Sequence, residues 1–303
     1  GVFIKVWQPD FLTCNWEKER LDAMRVAAHL KIPFLTCDAA EIYKREVGEF
    51  FVSEYIAGRT PNPDVMCNQH VKFGAFLRFA KKHGADFVAT GHYAQNSLTS
   101  TGHKLLRGVD KQKDQSYFLW TLTQDQLAQI LLPVGDSPKN VIRKEAEAAS
   151  IPVASKKDSQ GVCFLGHIYI PEFLSNFTNL VEGDVLNEDG HTIGRHKGAL
   201  CYTVGQRHGF TIDTQDSVRG AYFVVKKDLK ANTLTVSQIA PKIVPTSRFE
   251  LEKVNWINQE PETDAELEAQ FRYRQKPFIV KYLSNNKFEL MEEVDKTAKG
   301  QSC

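Results

Sequence analysis

The sequence lacks several patterns that would assign its class at once. No apolar run approaches the roughly 18 residues that a membrane span requires, and no signal peptide opens the chain. The six cysteines among 303 residues have no regular spacing, which excludes a disulfide-rich scaffold. We therefore expect a cytoplasmic protein without a membrane partner.

Common metal and phosphate motifs are also missing. No C-x2-C or H-x3-H spacing occurs, although Cys67, His70 and His92 could still converge on zinc. The glycine-rich loops G-x-x-x-x-G-K-[ST] and G-x-G-x-x-G are absent. The net charge of +1 gives no sign of nucleic acid, but RNA binding requires only a local basic face.

The pattern of the first 92 residues is that of an α/β fold. Apolar runs predict strands over residues 2–7, 32–37 and 86–90, and helical periodicity predicts helices between them, over residues 18–30, 41–57 and 71–83. This alternation is typical of a parallel sheet covered by helices. Ligands of such sheets bind beyond the carboxyl ends of the strands, where Gly91 and His92 are expected.

The rest of the chain changes character near residue 180. Residues 120–180 are predicted to be helical, with a capping box at Thr123 and Gln126, and with Ser137 as an N-cap before Pro138. After residue 180, turn signals separate short β-rich runs, which favours small antiparallel domains. Residues 239–245 contain two prolines and are predicted to form a linker.

Two cysteines have the surroundings of reactive thiols. Cys67 and Cys163 lie in segments rich in Pro, Gly or Asn, where we expect exposed loops. Lys156 and Lys157 precede Cys163 and are expected to lower its pKa, because the thiolate is the reactive form. The remaining internal cysteines are expected to be small buried hydrophobic residues: Cys14, Cys37 and Cys201.

Many short blocks of the chain carry a shared pattern. The blocks are AGRTPNPD at 57–64, Cys67-Asn68, Lys72-Phe73, ATGHY at 89–93, LRG at 106–108, KDQSYFL at 113–119, KKDS at 156–159, Cys163-Phe164, YTVGQR at 202–207 and RYRQ at 272–275. They run in order from residue 57 to residue 275, too many to match by chance. In these blocks the chain resembles the tRNA-specific 2-thiouridylase family (MnmA/TrmU).

The resemblance implies both a fold and a reaction. The fold is an adenine nucleotide alpha hydrolase-like (PP-loop) parallel-sheet domain at residues 1–175, a small β-rich central domain at 176–245 and a C-terminal β-barrel at 246–303. The reaction is ATP-dependent 2-thiolation of uridine 34 in the tRNA anticodon loop. It uses ATP with Mg²⁺, no permanently bound cofactor, and a persulfide-donating sulfur carrier or cysteine desulfurase as partner.

The resemblance also assigns residues to roles. Cys163 would carry the sulfur as a persulfide and Cys67 would be the second catalytic cysteine. Ile4 and Gly91 would line the nucleotide. The residues expected to contact tRNA are Asn62, Pro63 and Asp64 at the target base, and His92, Lys113, Asp114, Gln115, Arg272 and Tyr273 elsewhere. Asp64, three residues before Cys67, is in addition a candidate general acid or base.

One departure from the family pattern concerns ATP. The Ser-Gly-Gly-x-Asp-Ser loop that grips the phosphates is absent, and we expect it to precede residue 1, just as the last barrel strands would follow residue 303. A protein trimmed in this way would not turn over.

The residues leave some alternatives open. The persulfide of Cys163 could attack the activated base and be released by Cys67, or Cys67 could attack first and hydrosulfide follow. Other functions are an RNA-binding module without catalysis, a different PP-loop enzyme that acts on a small metabolite, and a zinc protein.

Overall fold

The chain separates into two compact units. The computed structural model describes residues 1–12, 16–157, 166, 168–213 and 220–303. Residues 1–49, 63–167 and 255–260 form the first unit. Residues 50–62, 168–254 and 261–303 form the second. The predicted three-domain division stays a prediction.

Helices occur mainly in the first half of the chain. Their bounds are α1 (Trp16–His29), α2 (Ala40–Tyr43), α3 (Phe50–Ile56), α4 (Pro63–Met66), α5 (Phe76–Lys82), α6 (Gln124–Leu127), α7 (Lys139–Ala148) and α8 (Ile170–Ser175). Two π-helical segments, Lys44–Glu49 and Cys67–Ala75, and two 3₁₀ turns, Ser116–Phe118 and Ala199–Cys201, add to them.

Strands are short in the first unit and more numerous in the second. Those of the first unit are β1 (Val2–Lys5), β2 (Leu35–Asp38), β3 (Val88–Ala89), β4 (Ala94–Thr99), β5 (Gly102–Arg107) and β6 (Ile130–Leu131). Those of the second are β7 (Gly183–Leu186), β8 (Thr192–His196), β9 (Thr211–Ile212), β10 (Phe223–Asp228), β11 (Thr233–Ser237), β12 (Lys242–Ile243), β13 (Arg248–Glu250), β14 (Glu266–Ala269), β15 (Phe278–Ser284), β16 (Lys287–Leu290) and β17 (Val294–Asp295).

Parallel pairing in the first unit confirms the α/β prediction. Strands β1 and β2 pair in parallel, with Ile4 opposite Cys37, and α1 connects them along the chain. Strands β3 and β6 are also parallel, whereas β4 and β5 form an antiparallel hairpin. Cys37 is buried, as predicted.

The helical segment that contains Cys67 begins earlier than the sequence pattern suggested. We predicted a helix over 71–83 preceded by a loop, but helical structure starts at Pro63. Asn62-Pro63-Asp64 resembles a turn, yet proline is also favoured at the first position of a helix, where its missing N–H costs nothing. The prediction that Cys67 lies in a loop is therefore wrong.

This helical segment joins two apolar clusters of the first unit. Cys67 and Val71 belong to a buried cluster with Tyr43 and Val47. Phe73, on the same segment, belongs to a second cluster whose other buried members are Ala94, Leu119, Leu122, Leu127 and Ile130. The segment is thus fixed from both sides by apolar burial, which is the dominant stabilising term in folding.

The second unit is β-rich, as predicted. One sheet has the strand order β10-β11-β7-β8-β9, in which only β7 and β11 are parallel, and another has the antiparallel order β13-β16-β15-β14. The predicted linker over 239–245 contains β12, which pairs with β17. Cys201 is buried, as predicted.

Two capping predictions had different outcomes. The capping box at Thr123 and Gln126 is present at α6, with both reciprocal hydrogen bonds. At α7 the N-cap is Pro138 rather than Ser137, so the predicted position was wrong by one residue.

In the described part of the chain, no helix is both long and apolar enough to cross a membrane.

The Gly135→Ala substitution should destabilise the first unit. A Cβ at this position would lie 1.7 Å from the carbonyl oxygen of Ala94, which belongs to β4. Because the clash is with backbone, we expect a loss of about 1–3 kcal/mol or more in the free energy of unfolding. Chemical denaturation of Gly135→Ala and of the parent protein measures this loss. The control variant is Gly91→Ala, whose Cβ would meet no atom within 4 Å. Equal stability of the two variants would contradict the packing described.

Candidate active site

Cys67 lies at the carboxyl ends of the first two strands. It begins a π-helical segment and shares a buried cluster with Val6 and Ala39, which directly follow β1 and β2. Ile4 of β1 packs against the same cluster. This is the edge of a parallel sheet where ligands bind, and π-helical turns often occur at functional sites.

The thiol of Cys67 is buried, whereas we expected an exposed one. The residue is 0% exposed. Cys67 and Val71 are four residues apart, a spacing that places both side chains on the inward face of the helical segment. A reacting group must therefore approach Cys67 through a rearrangement of its surroundings.

His92 connects the end of β3 to this helical segment. Its Nε2 lies 3.4 Å from the Nζ of Lys72, and its Nδ1 lies 2.8 Å from the Oγ1 of Thr90. The ring also packs against Phe73, with 5.5 Å between ring centroids. Two neighbouring residues of the Cys67 segment thus hold the imidazole.

The hydrogen bonds of His92 define its protonation. An ammonium group can only donate, so Nε2 must accept from Lys72, and Nδ1 carries the proton and donates to Thr90. Burial, helped by the positive charge of Lys72, lowers the pKa of His92 to about 3. His92 is therefore neutral at neutral pH and is poorly suited to act as a general acid.

Tyr93 holds the loop that contains Lys113, Asp114 and Gln115. The Tyr93 N–H donates to the Gln115 side-chain oxygen at 3.0 Å, and the Gln115 N–H donates to the Tyr93 carbonyl at 2.8 Å. Lys139 lies over the Tyr93 ring, with its Nζ 5.7 Å from the centroid. The loop is thus attached to the residue that follows His92.

The Asp114 carboxylate stabilises this loop from within. It accepts hydrogen bonds from the backbone N–H of Gly108 at 2.9 Å and of Ser116 at 3.1 Å, and from the Ser116 hydroxyl at 2.9 Å. Asp110 accepts from the backbone N–H of Lys139, at the start of α7. This bond and others from backbone N–H groups lower the pKa of Asp110.

Gly91 borders open space at the carboxyl end of β3. It is exposed, and a Cβ added there would have no neighbour within 4 Å. Backbone at such a position can approach a ligand closely. This openness fits the predicted role of Gly91 beside a nucleotide.

Asn68 follows Cys67 and is almost fully buried. Its amide donates to the carbonyl of Phe118 at 3.0 Å, which ties the Cys67 segment to the end of the 113–118 loop. Its Oδ1 is buried and has no hydrogen-bond partner among the described residues.

His70, also on this segment, lies 4.0 Å from Glu46. Within the described ranges, no three His, Cys, Asp or Glu side chains group closely enough to hold a metal ion.

Other predicted residues lie elsewhere. Cys163 falls outside the described residues, as do Cys14 and most of the segment around Cys163. The expected effect of Lys156 on the pKa of Cys163 stays a prediction. Lys156 donates to Glu19 at 2.7 Å and to Asp22 at 3.0 Å, both on α1. These hydrogen bonds raise the pKa of Lys156.

The predicted tRNA-contacting residues divide between the two units. Pro63 and Asp64 belong to the first unit, and Asn62 belongs to the second. In the second unit, Arg272 donates to the Lys296 carbonyl at 2.8 Å, and the guanidinium of Arg274 lies 5.0 Å from the Tyr273 ring centroid.

Sequence reasoning missed the residues that position the site. From the sequence, none of Lys72, Thr90 and Asn68 was assigned a role in the site. Thr90 stands two residues before His92, where its hydroxyl can reach the ring. That proximity was the one available signal, because the contact of Lys72 with His92 depends on tertiary structure.

Comparison with known proteins agrees with the fold. A family model described as "tRNA methyl transferase HUP domain" matches residues 1–167, and one described as "tRNA methyl transferase PRC-barrel domain" matches residues 171–238. The class of protein is therefore a HUP α/β domain followed by a PRC-barrel domain, which confirms the predicted fold class.

Curated relatives narrow this class. The chain is 41% identical to the tRNA-specific 2-thiouridylase MnmA of Exiguobacterium sibiricum, over 96% of this chain and 78% of the relative. It is 41% identical to the protein of the same name from Proteus mirabilis, over 96% of this chain and 81% of the relative. It is also 41% identical to that of Enterococcus faecalis, over 91% and 75%. The chain belongs to the tRNA-specific 2-thiouridylase family.

The depressed pKa of His92 predicts sensitivity to acid. Free histidine titrates near 6.5, whereas His92 in the folded protein titrates near 3. Stability is therefore fully present above pH 6.5 and is lost as the pH falls toward 3, because the unfolded state binds the proton first. Urea unfolding across this range should show a smaller acid loss in His92→Gln than in the parent protein.

The exposed His83 supplies the control for this experiment. His83→Gln should leave the pH dependence of unfolding unchanged. An acid loss of equal size in the parent protein and in His92→Gln would contradict a buried neutral imidazole.

Proposed function

We propose that the enzyme containing this chain catalyses the ATP-dependent 2-thiolation of uridine 34, the wobble base of tRNA. The observation that carries the proposal is the contact network that runs from the Cys67 segment through His92 and Tyr93 to Gln115. It links the segment of the expected thiol to His92 and Gln115, two of the residues expected to contact tRNA, and this linkage supports the proposal. The names of the relatives, tRNA-specific 2-thiouridylases, supply the reaction.

ATP is needed because the C2 carbonyl of uridine is a poor electrophile and oxide is a poor leaving group. Transfer of an adenylyl group to the C2 oxygen, with release of pyrophosphate, solves both problems. The open backbone at Gly91 and the strand residue Ile4 are proposed to line the nucleotide. Mg²⁺ would accompany the phosphates.

The sulfur step is proposed to use two cysteines. The terminal sulfur of a Cys163 persulfide attacks C2, and the C2–O bond breaks as AMP leaves with the oxygen. The Cys67 thiolate then attacks the Sγ of Cys163 and breaks the bond between the two sulfur atoms. This leaves 2-thiouridine and a Cys67–Cys163 disulfide, so the transferred sulfur is reduced to the sulfide level while the Cys67 thiol is oxidised. A thiol reductant restores the pair.

The neighbours of Cys67 have supporting roles in this proposal. Asp64, in the first turn of α4, would exchange protons with the base or with the thiol. Neutral His92 would act as a positioning residue, since its hydrogen bonds hold Lys72 and its chain neighbour Tyr93 holds the tRNA loop. The burial of Cys67 would keep its thiol from solvent oxidants until substrate arrives.

Two partners follow from this chemistry. The tRNA would present uridine 34 from the anticodon loop, where extrusion of a base costs least. A cytoplasmic sulfur carrier or cysteine desulfurase would load Cys163 with sulfane sulfur.

Substitution of each cysteine separates loading from transfer. In the full-length protein, Cys163→Ser should abolish labelling by radioactive sulfur, because a hydroxyl group cannot hold sulfane sulfur. Cys67→Ser should still accept the label but should form less than 1% of the parental 2-thiouridine, on the order of the loss expected for a missing nucleophile. Label on protein and on tRNA is counted after gel separation.

The buried Cys37 provides a matched control. Cys37→Ser replaces another buried thiol of the first unit and should leave both steps intact. Normal thiolation of tRNA by either Cys67→Ser or Cys163→Ser would contradict the proposal. If Cys67→Ser loses the sulfur label and Cys163→Ser keeps it, then Cys67 is the persulfide carrier and Cys163 is the second catalytic cysteine.

The Gln115 contact with Tyr93 should support tRNA binding. Gln115→Ala removes the side-chain acceptor of the Tyr93 N–H and frees the loop, so we expect about a 5- to 10-fold higher Kd for tRNA, the effect of one lost hydrogen bond. Filter binding measures this Kd. Gln112→Ala, in the exposed part of the same loop, is the control and should bind normally. Equal affinities for all three proteins would contradict the role of this loop.

A further inference from the structure

A cavity in the second unit has the size and chemistry of a nucleotide site. Its volume is about 440 Å³, within the range of small-molecule sites. It lies between residues 168–171, which include the start of α8, and residues 201–209. Three tyrosines contribute to its wall, Tyr55, Tyr169 and Tyr202, together with Arg272.

The aromatic wall offers both a fixed ring and an accessible ring. Tyr202 is buried, and its hydroxyl donates to the Gly209 carbonyl, which holds the ring in place. Tyr169 is 50% exposed, and the Nζ of Lys197 lies 5.7 Å from its ring centroid. An exposed tyrosine at the mouth of a cavity is a platform on which an unpaired base can stack.

The charges around the cavity favour an anionic ligand. Arg272 and His208 contribute to the wall, and no Asp or Glu does so among the described lining residues. Behind the wall, Lys227 donates to the Tyr202 carbonyl at 2.7 Å. Burial lowers the pKa of Lys227 to about 8, so its ammonium group stays mostly protonated at neutral pH. A phosphate-bearing ligand would be attracted by these groups.

The position of the cavity along the chain indicates which nucleotide it could hold. Thr203 of the wall lies 2.9 Å, hydroxyl to hydroxyl, from Thr60. Thr60 is two residues before Asn62, which is expected to contact the target base. We propose that this cavity binds the unpaired nucleotide next to uridine 34 in the anticodon loop, with its base stacked on Tyr169. This inference rests on the proposed function for the identity of the RNA and for the place of its target base near Asn62.

A double-mutant cycle between protein and RNA tests this assignment. The RNAs are an anticodon stem-loop and two versions with an abasic site, on the 5′ or the 3′ side of uridine 34. The proteins are the parent chain, Tyr169→Ala, Tyr169→Phe and Phe87→Ala. Phe87 is the matched control, because it is 54% exposed and lies in the other unit. Fluorescence anisotropy gives the Kd of each pair.

The expected result is a coupling that involves one RNA position. Tyr169→Ala should weaken binding of the intact stem-loop about tenfold, the usual effect of a lost stacking contact, and Tyr169→Phe and Phe87→Ala should not. One of the two abasic RNAs should bind the parent chain as weakly as the intact stem-loop binds Tyr169→Ala. Tyr169→Ala should cause no further loss of affinity for that abasic RNA. Additive losses at both flanking positions would overturn the proposal.

A free mononucleotide could occupy the same cavity, because it also carries a base and a phosphate group. AMP and ATP are titrated against the parent chain and against Tyr169→Ala. Binding of AMP or ATP that depends on Tyr169 and displaces the stem-loop would overturn the RNA assignment. Thiolation is assayed separately. If Tyr169 and one RNA position are coupled in binding but tRNA is not thiolated, the proposed function is rejected and the cavity assignment stands. If tRNA is thiolated but no such coupling is found, the cavity assignment alone is rejected.

Discussion

The burial of one imidazole ring holds the candidate site together. His92 is 7% exposed, and it contacts Thr90 on its own chain segment and Lys72 and Phe73 on the Cys67 segment. A charged imidazole in this position would lose its solvation and face an ammonium group, so the ring stays neutral. A single proton position, at Nδ1, then satisfies both neighbours. The end of β3 and the helical segment are thereby fixed to each other.

This contact gives a physical basis for one site built from distant parts of the sequence. The Cys67 segment provides the thiol, and the turn after β3 provides open backbone at Gly91. Tyr93, next to His92, holds Gln115 and with it the loop expected to contact tRNA. The proposed reaction would join ATP, a thiol and an RNA base, and it would therefore require these groups to be placed close together.

Local features of the fold followed from the sequence, and long-range features did not. The capping box at Thr123 and Gln126 depends on neighbouring residues and was predicted. The burial of Cys67 was not predicted, because Asn62-Pro63-Asp64 has the composition of a turn and indicated a loop. In the structure a helix begins at Pro63. The ion pairs of Lys156 join residues more than 130 positions apart, which no local pattern reveals.

We propose that the enzyme containing this chain introduces sulfur into the wobble uridine of tRNA. The most direct test is mass spectrometry of nucleosides from the anticodon loop of tRNA, isolated from cells with and without the gene. The account predicts that 2-thiouridine at position 34 disappears on deletion, that uridine takes its place, and that the parent gene restores it. Unchanged 2-thiouridine in the deletion strain would contradict the account.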